Sequence, residues 1–155
     1  MEARDGGEAT GVEVPWRPVS LRFEEPVQEV DEMEFWVIDS PQQLERTFGA
    51  RPLSPGIDFG RELLVVAHRG FCPTGGYGIR VTSVTVAGSE VRVAMQLQDP
   101  PPGAMVIMII TYPRAELVIA RKALPAGPVE FAFFDHTGKE LGRVAYFSAG
   151  AGKLG

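Results

Sequence analysis

Thiols, histidines, long apolar runs and clustered cations are all scarce in this chain of 155 residues. Its single cysteine, Cys72, excludes an internal disulfide and any metal site built from cysteines. The two histidines, His68 and His136, are 68 residues apart and form no paired-ligand motif, so no metal is expected. No apolar stretch approaches the roughly 20 residues that a membrane-spanning helix needs. The longest, "AMVIMII" at residues 104–110, has the length of a buried strand. Residues 1–14 are polar and acidic, without the basic start and apolar stretch of an export signal.

Charge is distributed unevenly. Residues 1–34 hold ten acidic and three basic side chains, a balance of −7, and the rest of the chain holds ten acidic and twelve basic, a balance of +2. An acidic front on a nearly neutral body argues against nucleic acid as a partner, because phosphates require clustered Lys and Arg. Composition assigns residues 1–17 to a flexible acidic segment, 18–148 to one β domain and 149–155 to a small-residue tail.

What is abundant is glycine, at 18, and proline, at 13, which divide the chain into many short elements. Residues 19–25, "VSLRFEE", alternate as a half-buried strand with Val19, Leu21 and Phe23 on one face, and "EFWVID" is a second. "SPQQLERTFG" reads as a helix over residues 41–48. Ser40 caps it, Pro41 takes the first position, Gln43 completes a capping box, and Gly49 supplies the left-handed stop. Leu44 and Phe48 form its one apolar stripe. "ELLVVAH" has the pattern of a central strand covered on both faces. "YGIRVTSVTVAG" and "GSEVRVAMQLQ" alternate around a tight turn, with a phase slip near Ser83 that marks a bulge. "AMVIMIITYP", "AELVIAR" and a final hairpin turning at residues 135–139 complete the pattern. The expected fold is mainly β: an antiparallel sandwich or open barrel of about nine strands with one short helix.

No catalytic constellation emerges. There is no Gly-x-Ser-x-Gly elbow. Cys72 and His68 are the one thiol–imidazole candidate, but on a single extended strand they would lie ~13 Å apart. "GAGKLG" at residues 150–155 lacks the leading glycine and the following Ser or Thr of a phosphate loop, and "GGYG" lacks dinucleotide spacing. Neither catalytic residues nor a cofactor are expected.

The informative stretch is "CPTGGYGI". Pro73 fixes φ and deletes a donor, and Gly75 and Gly76 open backbone angles closed to other residues. Tyr77 adds a ring that can bury while its hydroxyl stays wet. A loop that is stiff at one end and carried on a rigid sheet suits binding, because it presents its groups at little entropic cost.

At residues 57–121 the pattern resembles the PrcB C-terminal domain family. Asp58-Phe59 precedes an apolar strand, followed by Pro73, Thr74, Gly75, Gly76 and Tyr77. A valine-rich hairpin, a turn at Pro100, Pro101, Pro102 and Gly103, and Thr111, Tyr112 and Pro113 then follow in order. The resemblance implies a non-enzymatic β domain, carried on exported proteins, that associates with and stabilises a protease or cell-envelope partner. The stiff loop and the two neighbouring turns give Pro73–Tyr77, Pro101, Pro102, Gly103, Tyr112 and Pro113 as the expected partner-binding residues. The same loop is also similar to the Asn-Pro-Thr-Thr-Gly-Tyr loop of chagasin-type inhibitors of cysteine proteases, with Cys72 in place of Asn and Gly75 in place of the second Thr. That likeness implies a protease inhibitor as one alternative, and a passive structural domain is the other.

Overall fold

A computed structural model describes residues 11–53 and 55–148. Among them are nine strands: β1 (Val12–Glu13), β2 (Trp16–Val19), β3 (Glu34–Ile38), β4 (Glu62–His68), β5 (Gly78–Ala87), β6 (Glu90–Gln98), β7 (Arg114–Ala120), β8 (Gly127–Phe134) and β9 (Glu140–Ser148). One helix, α1, spans Pro41–Phe48. The strands form two sheets, ordered β1-β5-β6-β8-β9 and β2-β7-β4-β3, with no closed barrel.

The two sheets face each other because their strands bury alternate residues. Leu63, Val65 and Ala67 of β4 meet Val91, Val93 and Met95 of β6 and Phe131 and Phe133 of β8 in one core. The other face of β4 presents Leu64 and Val66 to Leu44 and Phe48 of α1 in a second, smaller core. β4 therefore has the apolar run of a doubly covered strand. The helix closes as its residues require. The Ser40 hydroxyl accepts the Gln43 N–H at 3.1 Å, and Gly49 stands at φ 72° with its N–H donated to Glu45 O. The Gln43 side-chain Oε1 accepts the Asp39 N–H at 3.0 Å, so the reciprocal half of the box closes one residue earlier than the usual pattern. The bulge near Ser83 is present, between Val81 and Ser83.

Four expectations are corrected. The strands are not all antiparallel, since β6 and β8 pair in parallel. Parallel neighbours need a long crossover, and here β7, in the opposite sheet, provides it where a βαβ unit would use a helix. The strand expected over residues 19–25 lies earlier, at Trp16–Val19. By Leu21 the ladder has given way to a side chain: the Leu21 N–H is donated to Glu116 Oε1 at 3.0 Å. The sandwich also begins before residue 18. Val12 pairs with Val86, the Val14 N–H is donated to Val84 O at 2.9 Å, and Val14 is buried in the main core. Polar neighbours had masked these isolated apolar residues. Residues 1–10 and 149–155, expected as flexible front and tail, lie outside the described residues. The fourth correction concerns residues 104–113. They form no strand, and Met105, Ile107, Met108, Ile109 and Ile110 are exposed while Val106 and Tyr112 are half-buried.

Candidate functional site

β4 ends at His68, and the chain must cross from one sheet to the other to begin β5 at Gly78. The crossing is fixed residue by residue. His68 is fully buried, and both its ring nitrogens are committed. Nδ1 accepts the Gly70 N–H at 2.9 Å, so Nε2 carries the proton and donates to Glu29 Oε1 at 2.9 Å. Gly70 stands at φ 92°, and a Cβ there would lie 2.7 Å from the Asp31 carbonyl oxygen. Backbone on that side cannot retreat cheaply, so only glycine fits. The Phe71 N–H then reaches Asp31 O at 3.0 Å.

From Cys72 the chain runs as a ribbon against residues 107–111. Cys72 and Thr111 exchange both backbone hydrogen bonds at 2.9 Å, and the Gly75 N–H is donated to Ile107 O at 2.8 Å. The Thr111 hydroxyl adds a bond to Thr74 O at 2.9 Å. Gly76 is exposed, with φ 91°. A Cβ on it would meet Pro100 Cβ at 2.9 Å and Val106 Cγ1 at 3.0 Å, which places the loop directly on the proline turn. Tyr77 is half-buried beneath Arg69, whose guanidinium carbon lies 5.2 Å from the ring centroid.

Arg69 is the staple of this corner. Its Nη1 donates to Gly78 O at 3.0 Å and to Gln98 O at 2.7 Å, and its Nη2 pairs with Asp99. One side chain thus ties the end of β4 to the start of β5 and the end of β6. Hydrogen bonds to a charged group are each worth about 1.5–3 kcal/mol, discounted here because Asp99 is itself largely exposed. Arg69→Ala is expected to cost about 2–4 kcal/mol and to open residues 72–77 to proteolysis, read by thermal melting and limited digestion. Arg69→Lys should recover less than half of the loss, because an ammonium cannot span three acceptors in a fixed fork.

Every residue expected from the sequence to bind a partner lies at this one end of the sandwich. Pro73, Pro101, Pro102 and Gly103 are exposed, and Thr74, Gly75, Tyr112 and Pro113 are half-buried. Tyr112 packs edge-on against Phe71, with centroids 6.1 Å apart, and near His68 at 6.2 Å. The sequence reading missed the most distinctive part. Met105, Ile107, Met108, Ile109 and Ile110 are between 52% and 99% exposed, with Phe71 beside them at 44%. Residues 105–110 donate no main-chain hydrogen bond within the described residues. Val12, Leu53 and Phe147 are also exposed but stand singly, which is ordinary. A run of five is not. The available signal was the prolines at both ends, Pro100–Pro102 and Pro113, which leave little room for a ladder between them.

The site has little chemistry of its own. Burial pushes the Cys72 thiol up, with the Arg69 guanidinium only partly opposing it, so the sulfur stays protonated and weakly nucleophilic. His68 has no free nitrogen to offer it. Among the described residues no group of three or more His, Cys, Asp and Glu side chains could hold a metal ion, and no helix is long and apolar enough to cross a membrane. An open groove of about 520 Å³ continues from the staple along β5 and β6, bordered by Arg80, Gln96 and Gln98.

Residues 63–120 match the family model described as PrcB C-terminal. The matched stretch runs from β4 to the last residue of β7, and so contains residues 68–113 of this corner but not Glu29 or Asp31. No curated protein and no solved structure matches the chain.

Proposed function

We propose that this chain, whose residues 63–120 match the PrcB C-terminal family model, is a non-enzymatic protein-binding module. Its contact surface is the end of the sandwich formed by Pro73–Tyr77, the 99–103 turn and residues 104–113. The partner is a protein that the module associates with and stabilises, and the family resemblance directs the search to a protease or cell-envelope protein. One observation supports this reading: five of the six apolar side chains of residues 105–110 project from a ribbon that is hydrogen-bonded to Cys72 and Gly75 beside the Arg69 staple.

Magnitudes support it. Fully burying a side chain of this kind is worth about 1.5–3 kcal/mol, so these five with Phe71 offer on the order of 10 kcal/mol before association costs. Those costs are themselves about 4–15 kcal/mol. Pre-ordering of the ribbon therefore matters, because it lowers the ordering share of that cost. Methionines suit such a surface, since their unbranched chains adapt to a partner's contours.

The test is recovery of the partner from native cells with the tagged chain, compared with Gly76→Val/Tyr77→Ala. A protease or envelope protein should be enriched with the wild type and lost with the double variant. Tyr77→Ala alone leaves the Gly76 backbone unstrained and separates lost contact from lost folding. Equal recovery by all three proteins would remove this surface from consideration.

A further inference from the structure

The apolar end is bordered on one side by carboxylates. Residues 29–34 run alongside residues 68–71: Glu29 accepts from His68, Asp31 O accepts the Phe71 N–H, and Glu34 pairs with His68 across β3 and β4. Asp31, Glu32 and Glu34 are exposed, and their carboxylates make no ion pair or hydrogen bond within the described residues. Two cations that flank this stretch through β4 and β7 are engaged elsewhere. Arg69 is bound to Asp99 and two carbonyls, and Arg114 is held by Glu116 with its guanidinium over Phe23 and Phe48. Arg80 lies beyond the staple, on the groove, bonded to Gln96. Phe71 and the 105–110 run thus have an uncompensated acidic shoulder.

From this geometry we infer that the partner presents an apolar segment flanked by Lys or Arg, the apolar part covering residues 105–110 and Phe71 and the cations meeting Asp31, Glu32 and Glu34. The inference rests on the binding reading above and specifies the chemistry of the bound segment. Charge at an interface rim steers encounter and rejects wrong partners more than it adds affinity. A membrane surface fits poorly, because anionic headgroups would be repelled by the same shoulder. A second copy of the chain brings a shoulder of the same sign. A basic, apolar protein segment satisfies both halves of the surface.

The probe is a fluorescein-labelled amphipathic peptide of leucine and lysine, with a counterpart in which glutamate replaces lysine, titrated against the full chain. The lysine peptide is expected to bind about tenfold more tightly in low salt, with the difference collapsing at about 0.5 M salt, where the screening length is only a few ångströms. Asp31→Lys/Glu32→Lys/Glu34→Lys should invert the preference, and Ile107→Ser/Met108→Ser should weaken both peptides. Equal affinities, or a preference that survives the charge reversal, would overturn the inference. If the Ile107/Met108 variant still lost binding, the module reading would stand without it. Binding that neither variant changes would remove both. Sedimentation with vesicles of phosphatidylcholine containing phosphatidylglycerol, or self-association on ultracentrifugation that the Ile107/Met108 variant abolishes, would also overturn it, in favour of a bilayer or a second copy.

Discussion

Phe133→Ala is expected to cost about 3–5 kcal/mol, a large part of the roughly 5–15 kcal/mol that holds a domain of this kind folded. Phe133 lies on β8 with no exposed surface, and its ring stacks on Phe35 of β3 with centroids 4.2 Å apart and planes 11° from parallel. The pair joins the two sheets. Phe35 is also closely approached by Gly142 of β9, where a Cβ would come within 2.6 Å of Cε2. With one ring truncated, Phe35 loses its stacking partner, and β4, β6 and β8 are too tightly paired to collapse into the space. At about 2–4 °C per kcal/mol, melting should fall by roughly 6–20 °C. Gly142→Ala should cost about 1–3 kcal/mol through overpacking, and adding Phe35→Leu should return part of it. That non-additivity would show that the two positions share one contact. A Phe133→Ala melting point within about 2 °C of wild type would refute this account of how the sheets are held together.

The contrast between β4 and residues 104–110 shows where the sequence is legible. Both are uninterrupted apolar runs, and by composition both read as buried strands. β4 is one because α1 covers Leu64 and Val66 while β6 and β8 cover Leu63 and Val65. In residues 105–110 only Val106 is half-buried, and nothing in the described chain buries the other five. Burial is a property of what lies opposite, and a single sequence does not state what lies opposite. Local signals fared better. Ser40, Pro41 and Gly49 bounded the helix, the phase slip located the bulge at Ser83, and Gly138 allowed the turn after Asp135. The residues from Pro73 to Tyr77 stood out for the same local reason. Arg69 and Gly70 did not, because their roles depend on Gln98, Asp99 and Asp31, residues remote in the chain.

Ile107→Asp/Met108→Asp should reduce partner binding by at least about 100-fold and leave the fold intact. The two side chains are 72% and 82% exposed, so their contacts within the chain are few, and surface changes of that kind usually stay within about 0.5 kcal/mol. The one hydrogen bond that residue 107 supplies to the loop uses its main-chain carbonyl, which aspartate retains. In a complex the situation reverses. A carboxylate placed in a desolvated apolar contact loses the burial energy of the side chain it replaces and adds its own desolvation, and a single central residue can cost 2 kcal/mol or more. Two such losses correspond to about three decades in affinity, fewer if they overlap. Calorimetry and titration on the same preparation distinguish the possibilities. A fall in melting temperature of several degrees would mean that residues 104–110 pack onto this chain and serve its own stability. Unchanged stability with unchanged affinity would mean that the exposed run is not the contact. Only preserved melting with lost binding matches a surface whose covering belongs to another protein.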